Sequence, residues 1–211
     1  MDASTPSTPT VPLTLVGDDA VFLDIARDAY FCLPGAAGAW RALQAGEASG
    51  DAGQLAEVLA AAGYVRSEAP RETRRAAPVR DLRDAPWPEV RAADIWRLGR
   101  AWVDYLRHYR GRPFAHLLRY ATADRPSGGG PEVVRAARAF ERLVVWLPVS
   151  GKCLVRSFLL LRFLHHSGLT AEWVFGVAVW PFKAHCWLEA DGVALDDAPE
   201  RLAAYVPILA A

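Results

Sequence analysis

Hydrophobic positions along this chain change period from two to helical and back. Over residues 11–33 (VPLTLVGDDAVFLDIARDAYFCL), apolar and polar residues alternate in short runs broken at Gly17-Asp18-Asp19 and near Arg27-Asp28, which predicts a small three-stranded meander. Helical patterns follow around 36–45, after Pro34-Gly35, and around 51–62, from a Ser-Gly-Asp start to Gly63, before a short strand at Tyr64-Val65-Arg66. Residues 67–88 mix arginine, acidic residues and proline without an apolar period and read as a linker. Beyond it, residues 89–109 place Ile95, Leu98, Trp102, Tyr105 and Leu106 at helical spacing, and residues 133–147 repeat the pattern after the Gly128-Gly129-Gly130-Pro131 break. A third helix is capped by Ser150, opens at Gly151 and Lys152, and runs through LVRSFLLLRFLHH until Gly168 supplies a left-handed end. The two earlier helices are expected to pack against it. The β-branched and aromatic run TAEWVFGVAVW and the segment after Pro181 then predict strands at about 171–180 and 182–190.

This order defines an α+β chain with a disordered tail at 1–10, a small unit at 11–66, a linker at 67–88 and a larger unit at 89–211. The 211 residues, 52% hydrophobic, suffice for one small and one medium core. Lys plus Arg and Asp plus Glu each number 24, a balance that argues against broad attraction to nucleic acid or membrane. The opening MDASTPSTPT is polar and proline-rich rather than a signal peptide, and no 18-residue apolar run exists, so a cytoplasmic location is expected. Three cysteines, Cys32, Cys153 and Cys186, lack metal-ligand spacing and fit reduced thiols; neither a metal site nor a cofactor is evident.

The third helix carries the candidate chemistry. Cys153 falls in its first turn, where unpaired backbone N–H groups and the positive end of the helix favour a thiolate, and Lys152 adds to the same field. His185 follows in the second of the two later strands, and Asp196-Asp197 lie beyond it. A nucleophile, a base and an orienter in that order are what thiol-based acyl transfer requires. Alternation puts His185 and Trp187 on one strand face and Cys186 on the other, which reads Cys186 as a core residue and Trp187 as a possible shield for the ion pair. The following turn decides the orienter. A two-residue loop at Asp191-Gly192 sets Glu189 opposite Ala194 and Asp196 on the histidine's side; a three-residue loop at 190–192 sets Glu189 opposite Val193 and His185 opposite Asp197.

The segments Gly151-Lys152-Cys153-Leu154, Trp173-Val174-Phe175-Gly176-Val177, Pro181-Phe182-Lys183-Ala184-His185-Cys186-Trp187-Leu188-Glu189 and Asp196-Asp197 resemble the lasso-peptide B protein family, microcin J25-type leader peptidases of transglutaminase-like, papain-related fold. The resemblance implies Cys153 as nucleophile, His185 as general base and Asp197 as orienter, and so favours the three-residue loop. The chain departs from the family pattern at Cys186, where alanine is usual, and at Asp196, where asparagine is frequent. The order of elements in residues 11–66 is similar to the winged-helix, PqqD-like leader-recognition domain often fused to these peptidases. With Arg27, Arg41 and Arg66 as the only basic residues before the linker, no nucleic-acid recognition helix is visible. A leader peptide is then expected to add as a strand along Asp28, Ala29, Tyr30, Phe31 and Cys32, with Leu55 and Leu59 of the second helix on a groove wall.

The resemblance implies hydrolysis at the leader–core junction of a lasso-peptide precursor, with an asparagine-synthetase-like cyclase as partner. The same triad order also serves acyltransferases and transglutaminases, and a scaffold without catalysis is the remaining alternative. Val149–Cys153 is no phosphate loop, because Trp146 stands where the first glycine belongs. His165 and His166 suit the negative end of a helix, and His108 and His116 read as surface or core residues.

Overall fold

The computed structural model describes residues 11–47, 49–62, 64, 78–123, 126, 128–149 and 152–211, with the side chain of Asp81 excepted. The chain divides into two compact units, near residue 75.

In the first unit, β1 (Leu13–Val16), β2 (Asp19–Asp24) and β3 (Ala29–Leu33) form an antiparallel meander in the order β1-β2-β3. The turns fall at the predicted breaks: Gly17 has φ +62° and Asp28 φ +52°, left-handed conformations that glycine and aspartate tolerate best. Helices α1 (Ala37–Gln44) and α2 (Gly50–Ala61) cover one face. Phe22 and Leu13 of the sheet pack there with Trp40 of α1 and Leu55 and Leu59 of α2, and Phe22 meets Trp40 edge-on at 6.0 Å between ring centres. Tyr64 lies outside any strand; its hydroxyl donates to Asp24 Oδ2 at 2.8 Å, while Val65 and Arg66 fall outside the described residues.

The second unit begins inside the expected linker. Arg80–Asp81 forms β4, and a 3-10 turn follows at Leu82–Asp84. Pairing with a strand more than a hundred residues away leaves no local period, so this segment reads as coil in the sequence. Helix α3 (Ala92–Asp104) runs into a π turn at Tyr105–Tyr109. Its start is fixed by the fully buried Asp94, which accepts the Arg91 N–H at 3.1 Å and the Arg97 guanidinium at 3.0 Å. Helix α4 (Phe114–Thr122) was not anticipated; it buries Phe114, Leu117 and Ala121, a short stripe between Pro113 and the following loop. Helix α5 (Pro131–Leu143) starts with proline in its first turn after Gly130 at φ +75°, and α6 spans Cys153–His165.

The five-stranded sheet has the order β4-β7-β6-β5-β8, where β5 is Glu172–Ala178, β6 Lys183–Ala190, β7 Val193–Ala194 and β8 Val206–Ala210; α7 (Pro199–Leu202) precedes β8. Only the β4–β7 pair is parallel. Helices α3 and α5 pack against α6, as its apolar pattern predicts, and α6 also contacts β6. Covered by helices and by the sheet, α6 buries Val155, Phe158, Leu159, Leu160, Phe163 and Leu164, a helix that is apolar nearly all round because it is surrounded. Gly168 has φ +72° and ends it as expected. Among the described residues, no helix is long and apolar enough to cross a membrane.

Candidate active site

Cys153 is the first residue of α6 and Lys152 its N-cap, so the helix begins at the thiol itself; Ser150 and Gly151 lie outside the described residues. At that position the backbone N–H has no partner within the helix and points out of its positive end. One turn on, the fully buried Ser157 hydroxyl donates to the Cys153 carbonyl at 2.9 Å and accepts the Trp173 indole N–H at 2.9 Å. This fastens the start of α6 to β5.

The β6–β7 turn is the two-residue form. Glu189 pairs with Ala194 and Ala190 with Val193 around Asp191 (φ +50°) and Gly192 (φ +74°), the mirror-image turn that matches strand twist. The three-residue loop favoured by the resemblance is therefore absent. Strict extrapolation of this register would put Asp196 on the same sheet face as His185, but the ladder ends first. After the Leu195 N–H bonds to the Leu188 carbonyl at 2.9 Å, Asp196 turns inward and accepts the Leu188 N–H at 2.9 Å. Asp197 is thereby set beside the imidazole, with His185 Nε2 2.6 Å from its Oδ2, and its Oδ1 accepts the Ala198 N–H at 2.8 Å. The His185 and Asp197 side chains retain 10% and 13% exposure, so the pair is largely shielded but not sealed. With Nε2 on the carboxylate, Nδ1 is the ring nitrogen left for the thiol.

Cys153, Arg156, His185, Cys186, Asp196, Asp197 and Arg201 line one cavity of about 430 Å³. The presence of Cys186 corrects the assignment of its side chain to core packing alone. It is buried, but His185 and Cys186, on opposite strand faces, both hydrogen-bond to the Cys153 sulfur. β7 pairs only with Glu189 and Ala190 and leaves the earlier part of that edge of β6 uncovered. Leu188 turns its N–H to that edge for Asp196, and Cys186, two residues earlier, turns its N–H to the same edge for the sulfur. Arg156, at helical spacing from Cys153, and Arg201, at helical spacing from Asp197, also escaped the sequence reading; spacing alone could have found them once the two anchors were known.

Hydrogen bonds from the Cys186 thiol and from His185 hold the Cys153 thiol down to about 4, against burial, which pushes the other way. Burial pulls the His185 ring toward its neutral form, but its hydrogen bonds to Cys153 and Asp197 and their charges outweigh that and raise its pKa. Both displacements favour a thiolate beside an imidazolium. The Cys186 thiol is pushed up by its bond to Cys153 and by burial, and stays protonated. Burial also pushes Asp196 up to about 7, helped by Asp197 and opposed by the Leu188 N–H and Arg156.

Around this centre, Trp187 is 2% exposed, its ring 6.1 Å from that of His185, and its indole N–H donates to Glu189 Oε2 at 3.0 Å. The Tyr205 ring is 5.2 Å from the imidazole. His166 is engaged by Asp104 at 2.9 Å, and His108 stacks on Tyr120 at 3.9 Å. Among the described residues no cluster of His, Cys, Asp or Glu could hold a metal ion.

The residues expected to meet a leader separate into two sets. Asp28 lies in the β2–β3 turn, and Ala29, Tyr30, Phe31 and Cys32 form the edge strand β3, with Phe31 41% exposed. Leu55 and Leu59 instead lie inside the core, each 7% exposed, because the apolar stripe of α2 faces the sheet. The large apolar residue that this helix turns to solvent is Val58, 55% exposed.

Residues 99–210, more than half of the chain, match the family described as the transglutaminase-like superfamily, and the chain belongs to it. Its members are usually cysteine-dependent enzymes, peptidases or acyltransferases. The chain is also 40% identical over 47 residues to the microcin J25-processing protein McjB of Escherichia coli. That match covers 22% of this chain and 23% of that protein, a short stretch of each. No solved structure matches the chain.

Proposed function

We propose that this protein is a cysteine peptidase that removes the leader from a lasso-peptide precursor by hydrolysis at the leader–core junction. The observation that carries the reading is the convergence of Cys153, at the positive end of α6, with a His185 ring held 2.6 Å from Asp197. The likeness to McjB, a protein named for processing microcin J25, supports the substrate class. The Cys153 thiolate attacks the scissile carbonyl, and the Cys153 backbone N–H is one donor to the resulting oxyanion. His185 passes its proton to the leaving amine of the core, and the leader remains as a thioester. Water, deprotonated by the same ring, releases the leader acid and restores the thiolate. Asp197 keeps the imidazole oriented and offsets its positive charge. The new core amine is the group that an asparagine-synthetase-like cyclase would join into a macrolactam.

The first unit, read as a PqqD-like winged helix, would hold the leader as an added strand along Asp28–Cys32. The position of β3 at the edge of its sheet supports this, and with Leu55 and Leu59 buried, the exposed side of α2 around Val58 would form the neighbouring helix wall. The test is incubation with a precursor peptide followed by mass measurement of the fragments. Hydrolysis leaves a leader with a free carboxylate, whereas acyl transfer leaves a leader–amine adduct. Cys153→Ala is expected to abolish cleavage while leader binding persists; full cleavage by that variant would remove the nucleophile assignment.

A further inference from the structure

We propose that Cys186 is a positioning residue for the nucleophile, its S–H shared between two acceptors, a Ser157 oxygen that Trp173 holds in place and the Cys153 sulfur, and turned to the sulfur when that is a thiolate. The inference rests on Cys153 reacting as a thiolate, as in the function proposed above. Its basis is a count of protons in a buried network. Ser157 and Trp173 are fully buried and Cys186 is 4% exposed, yet Cys186 lines the same cavity as Cys153 and His185. The Cys186 sulfur lies 3.4 Å from Ser157 Oγ. That hydroxyl already receives the Trp173 N–H at 2.9 Å and gives its single proton to the Cys153 carbonyl at 2.9 Å. A hydroxyl has one proton and two acceptor lone pairs, so Ser157 can offer Cys186 only an acceptor.

The Cys186 S–H therefore has two destinations, the serine oxygen and the Cys153 sulfur. An anionic sulfur is the stronger acceptor of the two, so the proton turns to Cys153 whenever that group is a thiolate. Once the sulfur is acylated its charge is gone, and the S–H can return to Ser157 without being stranded in a buried site. The device stabilises the thiolate before attack and again when hydrolysis of the thioester expels it, and makes no demand on the acyl state between. The backbone N–H of Cys186, turned to the same strand edge, adds a fixed donor to the movable one.

The test follows iodoacetamide labelling of Cys153 against pH in the full chain, resolved from Cys32 and Cys186 by peptide mass mapping. In Cys186→Ala, and in the nearly isosteric Cys186→Val, the acid limb is expected to move up by about one pH unit, a roughly tenfold loss of labelling below the wild-type midpoint. Cys186→Ser, which keeps a donor, should stay close to wild type. Precursor cleavage below the shifted limb should fall in parallel for Ala and Val. Limbs that coincide for all four proteins, or a serine variant that moves as far as valine, would overturn the role of Cys186. Wild-type Cys153 labelled only above pH 8 would instead remove the thiolate itself, and with it the function proposed above.

Discussion

Two neighbouring aspartates differ in this site by the partners they hold. Asp197 keeps some contact with water, touches His185 and receives a backbone N–H, so its charge is available to the imidazolium. Asp196 is half-buried, accepts the Leu188 N–H and is pushed up to about 7. Asp197→Ala should lower the rate of precursor cleavage by roughly a hundredfold or more, because the ring loses both orientation and charge support. Asp196→Asn keeps an acceptor for Leu188 and should retain most of the rate. Its signature is in stability. An aspartate near 3.8 when unfolded and near 7 when folded leaves the native state holding an extra proton between those values, so wild-type stability from this group falls as pH rises through that window and is level above it. The asparagine variant lacks that fall, so its melting temperature relative to wild type should climb from pH 4 to pH 7 and then plateau, a gain on the order of a few kcal/mol. Parallel melting curves across that range would contradict the burial of a titrating Asp196.

At the scale of elements, the sheet shows how far local pattern reaches. The β5 and β6 strands and the α6 helix follow their apolar runs closely, and each buries consecutive residues because it is covered on more than one side. The orienting aspartate does not follow from register: the observed hairpin is the one that would have nominated Asp196, and the strand breaks before that extrapolation applies. Cys186 was misread for a related reason. Face alternation predicts contacts above and below a sheet but not at a strand edge, where two successive side chains can reach one atom. Gly176 is a second constraint of this kind. It pairs with His185, and a methyl group there would meet the Trp187 ring at 2.8 Å and Tyr205 Cβ at 3.1 Å, the two aromatic neighbours of the imidazole. Gly176→Ala should destabilise the protein by about 1–3 kcal/mol through overpacking and slow cleavage beyond what the melt explains, as the shifted rings displace His185. Thermal melts with cleavage rates at a temperature where the variant is folded check both parts.

Over the whole molecule, each unit carries its own core: Phe22 and Trp40 anchor the first, and Phe158 and Trp173 the second. Every residue lining the catalytic cavity lies after residue 150. A chain beginning at Ala76 should accordingly still label at Cys153 at acid pH. Its precursor cleavage should drop by about a hundredfold, because the leader is no longer held near the thiol, and adding residues 1–75 as a separate fragment should restore only part of it. Undiminished cleavage by the shorter chain would remove the first unit from substrate binding.

By itself the sequence determined the elements with a local period, the meander, the α6 helix with cysteine in its first turn and the strand bearing His185, because burial at fixed spacing writes itself into hydrophobic order. It also named the cysteine, the histidine and a pair of aspartates, since few residue types can perform this chemistry. Tertiary structure alone decided which aspartate reaches the ring, that Cys186 shares the cavity of Cys153, that Leu55 and Leu59 face inward, and that Arg80–Asp81 belongs to the sheet. Each of these is a contact between segments distant in the chain or a departure from ideal strand geometry, and neither leaves a periodic trace.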